Sequence, residues 1–340
     1  MAYTTIDKSS LHFNTKLYTG TGSSNAITGV GFQPDLLWIK SRSSTYSHSW
    51  TDAVRGKDNK IASNNSNAQY TDAGQLTSFD SDGFTLSTDA GVNNNGSTFA
   101  SWNWKANGAG SSNTDGSVTS TVSANTTSGF SIVKYTNPSS GSPFTVGHGL
   151  GSPPKMIIIK NITGSAQNWG VWHTGIGFGK YLQLNTTISQ ATANLVTATS
   201  NTTFSTYYDH HTAGVDLIAY CFAEKKGFSK FGSYTGNGNA DGTFVYTGFK
   251  PAFVLVKNTA IADNWSIFDN KRIGYNAFNY VLYADITNVG SNGLPMDILS
   301  NGFKWRTTAG MANGSGQNHI YMAFAEAPLV GTNNVPCTAR

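Results

Sequence analysis

Charged side chains are scarce in this chain. Of its 340 residues, 22 are Lys or Arg and 18 are Asp or Glu, which is 12% of the total against about 25% in an average soluble protein. The formal net charge of +4 is too small and too dispersed to indicate a nucleic-acid-binding face. Gly, Ser, Thr and Asn supply the polarity instead, and they favour turns and strand surfaces over helix interiors. We therefore expect neither a long helical bundle nor a nucleic-acid partner.

Cysteines and long apolar runs are also few. Cys221 and Cys337 are too few for a disulfide framework and form no CxxC pair. Cys221 lies in the apolar run 217–222, where we expect a small buried thiol. No apolar run approaches the length of a membrane span, and residues 1–8 lack the pattern of a secretory signal peptide. We expect synthesis in a reducing cytoplasm without membrane insertion.

Aromatic residues, in contrast, are plentiful. The chain has 19 Phe, 15 Tyr and 8 Trp, enough to build large cores, which argues against disorder.

A seven-residue pattern of Pro, apolar residues and a final Lys occurs three times, at 34–40, 154–160 and 251–257. Each copy follows a glycine-containing turn signal, and a Trp comes eight to ten residues after each Lys. Such internal similarity is the signature of a repeat architecture. The candidate structural anchors are Pro34, Lys40, Trp50, Pro154, Lys160, Trp169, Pro251, Lys257 and Trp265.

A second apolar segment closes each repeat, at 99–104, 217–222 and 320–326. These repeats predict three homologous units, which we name unit 1 (1–106), unit 2 (128–228) and unit 3 (229–327). Residues 107–127 are rich in Gly, Ser and Thr and predict either a linker or an extended arm that pairs with a neighbouring sheet. Residues 328–340 form a predicted C-terminal tail.

The local patterns of all three units indicate strands. Short segments rich in Ile, Val, Phe, Tyr and Thr are bounded by Gly, Asn and Asp, as strands and turns are. The continuously apolar runs 156–159 and 253–256 fit central strands covered on both faces, and a Pro at a strand start costs no ladder hydrogen bond. We predict an all-β fold of three antiparallel β-sandwich-like units in tandem.

The repeated tryptophans Trp50, Trp169 and Trp265 allow two interpretations. Exposed indoles could stack on sugars, whereas inward ones would anchor the core, and their near-constant spacing favours the core. An Asp followed by an Arg comes after two of them, at 52–55 and 269–272, and each pair could brace a loop by a charge-assisted hydrogen bond. Unit 2 has His173 in this place.

No catalytic or metal-binding pattern is convincing. The best metal candidate is the run 209–211 of one Asp and two His, with Asp216 nearby, but adjacent residues of a strand point to opposite faces. His148 and His173 lie in the same unit without the spacing of a metal motif. The turn-like acids of unit 1 do not indicate a pair of glycosidase carboxylates; they are Asp72, Asp80, Asp82 and Asp89. We predict no catalytic residues, no metal and no cofactor.

A resemblance to a known family rests on three stretches: GSVTSTVSANTTSGFSIVKYT at 116–136, TVGHGLG at 145–151 and PKMIIIKN at 154–161. They resemble a repeat domain of structural proteins of tailed bacteriophages, including tail-fibre-like and virion-surface proteins of cyanobacterial and marine phages. The resemblance implies a non-enzymatic virion protein, made in the host cytoplasm, that acts in the tail fibre or tail surface in assembly and host adhesion. A capsid decoration or cement protein and a polysaccharide depolymerase are the alternatives.

The same resemblance implies partners. A homotrimer is the leading expectation because phage fibres use symmetry to multiply weak contacts. Other virion proteins of tail or capsid, and a host-surface glycan or protein, complete the expected set.

Overall fold

The fold is nearly all β, as the composition predicts. The computed structural model describes residues 3–138, 143–207, 212–273 and 276–336. Within these residues the helical elements are two short helices, α1 (Ala90–Asn93) and α2 (Gly310–Asn313), and two 3-10 turns at Ser9–Leu11 and Thr174–Ile176.

The strands of the first third are β1 Phe13–Thr19, β2 Asn25–Thr28, β3 Leu36–Ser41, β4 Ser49–Asp52, β5 Asn59–Lys60, β6 Tyr70–Thr71, β7 Leu76–Asp80, β8 Gly83–Leu86, β9 Thr98–Trp104 and β10 Ser111–Asn113. The next are β11 Ser120–Asn125, β12 Phe130–Thr136, β13 Phe144–Gly147, β14 Met156–Asn161, β15 Gly170–His173, β16 Lys180–Gln183, β17 Ala191–Thr192, β18 Ala198–Thr199, β19 Thr203–Thr206 and β20 Asp216–Phe222. The last are β21 Ser229–Thr235, β22 Phe244–Tyr246, β23 Phe249–Asn258, β24 Ser266–Asp269, β25 Phe278–Tyr283, β26 Ser291–Leu299, β27 Gly302–Trp305 and β28 Asn318–Pro328.

One antiparallel strand order occurs in all three units. It is β1-β9-β3-β4 in unit 1, β12-β20-β14-β15 in unit 2 and β21-β28-β23-β24 in unit 3. We call these the main sheets. The strand that carries the seven-residue pattern lies between two others each time, and β3 and β14 are buried along their whole length. Burial on both faces explains why these strands are continuously apolar.

A smaller sheet packs against each main sheet. It is β2-β8-β7 in unit 1 and β13-β19-β18 in unit 2, whereas in unit 3 the strands β26-β27-β22 continue from the main sheet through β25 as one eight-stranded sheet. Each unit has an apolar cluster of its own, around Phe84, Phe204 and Phe303 respectively. In unit 3 the two layers of the sandwich are thus joined along one side into a single continuous sheet.

A fourth and larger cluster joins the units. It contains Trp102 and Trp104 of unit 1, Phe222 of unit 2, and Phe253 and Phe324 of unit 3, all at most 1% exposed. The rings contact one another across unit boundaries, for example Trp104 with Phe222 and with Phe324. The inner faces of the three main sheets therefore share one aromatic core.

The three repeated prolines do not occupy the same place in their strands. Pro34 and Pro154 are buried and lie two residues before β3 and β14. Pro251 lies inside β23, where the pairing with β28 is irregular. The expectation of a strand-start position is thus wrong for Pro251, and the irregular pairing accommodates a residue that has no N–H.

The segment 107–127 contains β10 and β11, which extend the main sheet of unit 2 from β12. Residues 116–120, which lead into β11, run along the edge of β13, where Val118 pairs with Val146 in the parallel sense.

The two ends of the described chain meet. Asp7 accepts hydrogen bonds from the backbone N–H of Thr332 at 2.6 Å and from its hydroxyl at 2.5 Å. The backbone N–H of Tyr3 donates to Asn334 Oδ1 at 3.1 Å.

Candidate functional site

The repeated lysines lie at the boundaries between the units. Lys40, Lys160 and Lys257 are fully buried, and each ammonium donates to a backbone carbonyl of a different unit. The bonds are Lys40 to Thr287 (2.6 Å), Lys160 to Ser66 (3.0 Å) and Lys257 to Thr187 (2.9 Å). The three lysines therefore tie unit 1 to unit 3, unit 2 to unit 1, and unit 3 to unit 2.

Burial lowers the pKa of these ammoniums. It lowers the pKa of Lys160 to about 7 and those of Lys40 and Lys257 to about 8. Lys160 also donates to Asn161 Oδ1 at 2.6 Å and to the Gln167 carbonyl at 2.8 Å. A buried ammonium that is surrounded by backbone acceptors cross-links chain segments, and its contacts leave no open face for a substrate.

Ring N–H groups make a second set of bonds across the same boundaries. The tryptophans Trp169 and Trp265 are buried and donate to carbonyls of the preceding unit, so they offer no face to a sugar. In unit 1 the equivalent donor is a histidine. The bonds are Trp169 to Asn65 (3.1 Å), Trp265 to Gln183 (2.8 Å) and His48 to Ile286 (3.1 Å).

The strand register corrects the expected equivalence of the tryptophans. Ser49, Gly170 and Ser266 occupy the same place, each opposite the residue before the repeated Lys. The residue that precedes each of them is His48, Trp169 or Trp265. Trp50 is therefore not the counterpart of Trp169 and Trp265, although it too is buried and packs edge-on against Trp169 at 5.2 Å.

The hydrogen bonds of His48 fix its tautomer. Trp38 Nε1 donates to His48 Nδ1 at 2.9 Å, so the ring proton is on Nε2, which donates to the Ile286 carbonyl. Burial and the nearby Lys40 hold the pKa of His48 well below its usual value. His48 is thus a neutral donor that closes the boundary between units 1 and 3.

A third set of contacts lies nearer the shared core. The Asp52 carboxylate accepts a hydrogen bond from Arg55 Nε at 2.5 Å and another from the Tyr220 hydroxyl of unit 2 at 2.8 Å. The Asp269 carboxylate of unit 3 accepts a hydrogen bond from Arg272 Nε at 2.6 Å. Both ion pairs are at most 1% exposed. The Asp–Arg braces expected from the sequence are present, and each also joins two units.

The third boundary uses a different residue for a physical reason. Trp102, Tyr220 and Met322 occupy corresponding positions in the three main sheets. Trp102 donates its indole N–H to Asp269 at 3.1 Å, as Tyr220 donates its hydroxyl to Asp52, but the Met322 side chain has no donor. At that boundary His173 takes the Asp position, and its Nε2 donates to the Tyr321 carbonyl at 3.1 Å.

These contacts run in one cyclic order. Backbone bonds repeat the order, as the N–H groups of Gln69, Gln190 and Gly290 donate to the carbonyls of Ile162, Thr259 and Arg42. Each carbonyl belongs to the residue two positions after a repeated Lys. The three units thus form a closed ring around the shared core, which we call the three-unit ring.

The remaining candidates serve local structure. Asp82 accepts from the N–H groups of Gly29 and Gly31, and Asp89 caps α1 and pairs with Lys60 at 2.7 Å. His148 accepts from the Leu150 N–H. The expected burial of Cys221 is confirmed, and burial raises the pKa of its thiol.

The run 209–211 lies outside the described residues. Within those that are described, no three His, Cys, Asp or Glu side chains form a group able to hold a metal ion, and no helix has the length and apolarity to cross a membrane.

Comparison with protein families matches residues 8–328 to a domain of unknown function, DUF7483. No curated protein and no solved structure matches the chain.

Proposed function

The chain belongs to the DUF7483 family, and we propose that it is a bacteriophage virion structural protein of the tail fibre or tail surface, acting in assembly and host-surface adhesion. The three-unit ring is the observation that carries this proposal. The side chains best suited to acid–base chemistry, such as Lys160, Asp52 and His173, are buried at unit boundaries. Each is hydrogen-bonded to another part of the chain. Their arrangement serves rigidity.

The proposal includes a homologous origin of the three units. The recurring strand order supports it, and so does the correspondence of Lys40, Lys160 and Lys257 in both register and bonding. Three unrelated folds would not be expected to carry a Lys at the same register position, each donating to a backbone carbonyl of another unit.

The mechanism follows from a rigid body with polar loops. Core aromatics fix the three main sheets relative to one another, so loop tips at the surface keep a fixed spacing. Several weak contacts made at fixed spacing gain from effective concentration. A host glycan or protein would be bound by those loops, and the homotrimer remains part of this proposal as a further multiplication of contacts.

Localisation on the particle is the decisive experiment. We expect gold-labelled antibodies against the chain to mark the tail of phage particles, and we expect the purified chain to bind host cells and compete with infection. A phage-resistant host strain is the matched control. Failure to label any particle would contradict the virion proposal, and absence of both binding and competition at saturating concentration would contradict adhesion.

A capsid decoration protein is the second candidate. The cyclic order of the three-unit ring favours it, since a threefold-symmetric site on a shell would meet three corresponding surfaces. Label confined to the shell would select this candidate.

Two further measurements complete the test. Release of reducing ends from host polysaccharide would instead select the depolymerase. Light scattering on the purified chain should give three times the mass of one chain for the homotrimer, and a single-chain mass would remove it.

A further inference from the structure

One edge strand of this molecule is covered by the chain itself. In unit 2 the edge of β13 is occupied by residues 116–120. Val118 N–H donates to the Thr145 carbonyl at 3.2 Å, and Ser117 N–H donates to Thr145 Oγ1 at 2.8 Å. The Ser120 hydroxyl donates to the Gly147 carbonyl at 3.1 Å. This is a short parallel strand addition, with Val118 packed against the core of unit 2.

The corresponding strand in unit 3 is β22. Val146 of β13 lies opposite Phe204, and Val245 of β22 lies opposite Phe303. Phe244 therefore corresponds to Thr145, and Tyr246 corresponds to Gly147. β22 pairs with β27 on one side, and within the described part of the chain no strand pairs with its other edge.

The outer face of β22 carries two exposed rings. Phe244 is 44% exposed and Tyr246 is 53% exposed, while Val245 between them points inward. Unit 1 has only Ala26 and Thr28 in these places, by the pairing of Ile27 with Phe84. Unit 3 is thus the one unit in which this edge combines free backbone groups with adjacent aromatic side chains.

This combination is suited to strand addition. An uncovered edge presents N–H and C=O groups that template another strand, and exposed aromatic residues are enriched where proteins bind one another. The N-terminal segment already contacts the chain just beyond β22, because the Tyr3 hydroxyl donates to the Gly248 carbonyl at 2.8 Å. The free edge is therefore continuous with an existing contact between segments that are distant in sequence.

We propose that the free edge of β22 binds an extended segment of a partner polypeptide as an added parallel strand. Residues 116–120 on β13 show its geometry. One side chain of the segment, at the place of Val118, points inward and is aliphatic. The two flanking side chains, at the places of Ser117 and Thr119, are apolar and cover Phe244 and Tyr246. The inference goes beyond the proposed function and does not depend on where the protein resides.

Two synthetic peptides test it against the full chain. The first has the sequence of residues 113–122, and the second carries Ser117→Leu and Thr119→Leu. Two ring–aliphatic cross-strand pairs should make the second peptide bind about tenfold more tightly than the first. Hydrogen exchange of residues 243–247 should slow on binding, while exchange of residues 25–28 on the corresponding edge of unit 1 should not change.

Variants assign the effect to the rings. Phe244→Thr with Tyr246→Gly, the residues found in unit 2, should abolish the preference for the second peptide. Phe244→Thr alone should reduce it and serves if the double variant fails to fold. Tyr70→Thr removes another exposed ring, 44% exposed, and should leave binding unchanged.

Three outcomes would overturn the proposal. They are no peptide-dependent slowing at residues 243–247, equal affinity of wild type for both peptides, and a preference for the second peptide that survives loss of both rings. Cellohexaose is the competing probe. If it, rather than the peptides, slows exchange at β22 in wild type and not in the double variant, the edge is a sugar-binding surface. None of these results depends on phage or host, so they are distinguishable from failure of the proposed function.

Discussion

Replacing Tyr220 by Phe removes one hydroxyl from the boundary between units 1 and 2 and leaves the ring in place. The hydroxyl donates to Asp52 Oδ2 at 2.8 Å and lies 3.4 Å from Arg55 Nη2. The ring still packs edge-on against Trp50 at a centroid distance of 4.9 Å. Tyr220→Phe therefore changes a hydrogen bond across a boundary without creating a cavity.

The expected loss can be worked from these contacts. A hydrogen bond to a charged group contributes about 1.5–3 kcal/mol. Asp52 keeps Arg55 Nε and the N–H groups of Val54 and Arg55, so we expect the lower part of that range, about 1.5–2 kcal/mol. With an unfolding entropy of about 2.1 cal/mol/K per residue, a chain of 340 residues should lose roughly 2–3 °C in Tm.

Tyr135→Phe is the matched control. Tyr135 is also buried in the main sheet of unit 2, but its hydroxyl is a buried group without a hydrogen-bond partner in the described part of the chain. Removing it should be neutral or stabilising by up to about 1 kcal/mol.

Calorimetry and chemical denaturation of wild type and both variants measure the difference. We expect one transition in each, because the three units share a core. Equal effects of Tyr220→Phe and Tyr135→Phe, or a separate transition for one unit, would refute the reasoning.

Three further predictions concern the ring and its turns. Burial lowers the pKa of His173 from 6.5 to about 4, so its contribution to stability is complete above pH 6.5 and is lost as the pH falls to 4. The advantage of wild type over His173→Gln in denaturation curves should shrink by up to roughly 3 kcal/mol over that range, and a constant difference would contradict it. Because the ends of the described chain meet, a circular permutant opened between residues 108 and 109 should melt in one transition, and several transitions would contradict the three-unit ring. Gly83 has φ +153°, and a Cβ there would overlap the Ile27 carbonyl, so Gly83→Ala should cost about 2–5 kcal/mol. Gly96→Ala, at φ +76° with open space, should cost about 1 kcal/mol, and equal losses would contradict the clash.

The sequence predicts the all-β class because strand signals are local. Alternation, β-branched runs and turn residues identified strands such as β14 and β23 within a few residues. The braces at 52–55 and 269–272 were also predictable, since partners three residues apart meet wherever the chain turns.

The ring was not predictable because its contacts are distant in sequence. Lys40 and Thr287 are 247 positions apart, and nothing in the spacing of the repeats indicates which unit each Lys meets. Counting from Lys to the next Trp misplaced Trp50, because spacing alone cannot recognise that His48 supplies the ring N–H in unit 1.

One signal of the boundaries was nevertheless present in the sequence. Unit 2 lacks the Asp that units 1 and 3 share, and unit 3 has Met322 where the others have a side chain that donates. The two exceptions meet at one boundary. A comparison of exceptions between repeats, rather than of shared residues, could have indicated that contact.

A closed ring made by one polypeptide responds to dilution differently from a ring of three molecules. Three separate subunits would come apart when their concentration fell below the dissociation constant. Here the partners of Lys40, Lys160 and Lys257 belong to the same polypeptide. Each unit therefore meets its neighbours at an effective concentration that does not fall when the protein is diluted. The assembly therefore keeps its geometry as a single molecule at any dilution.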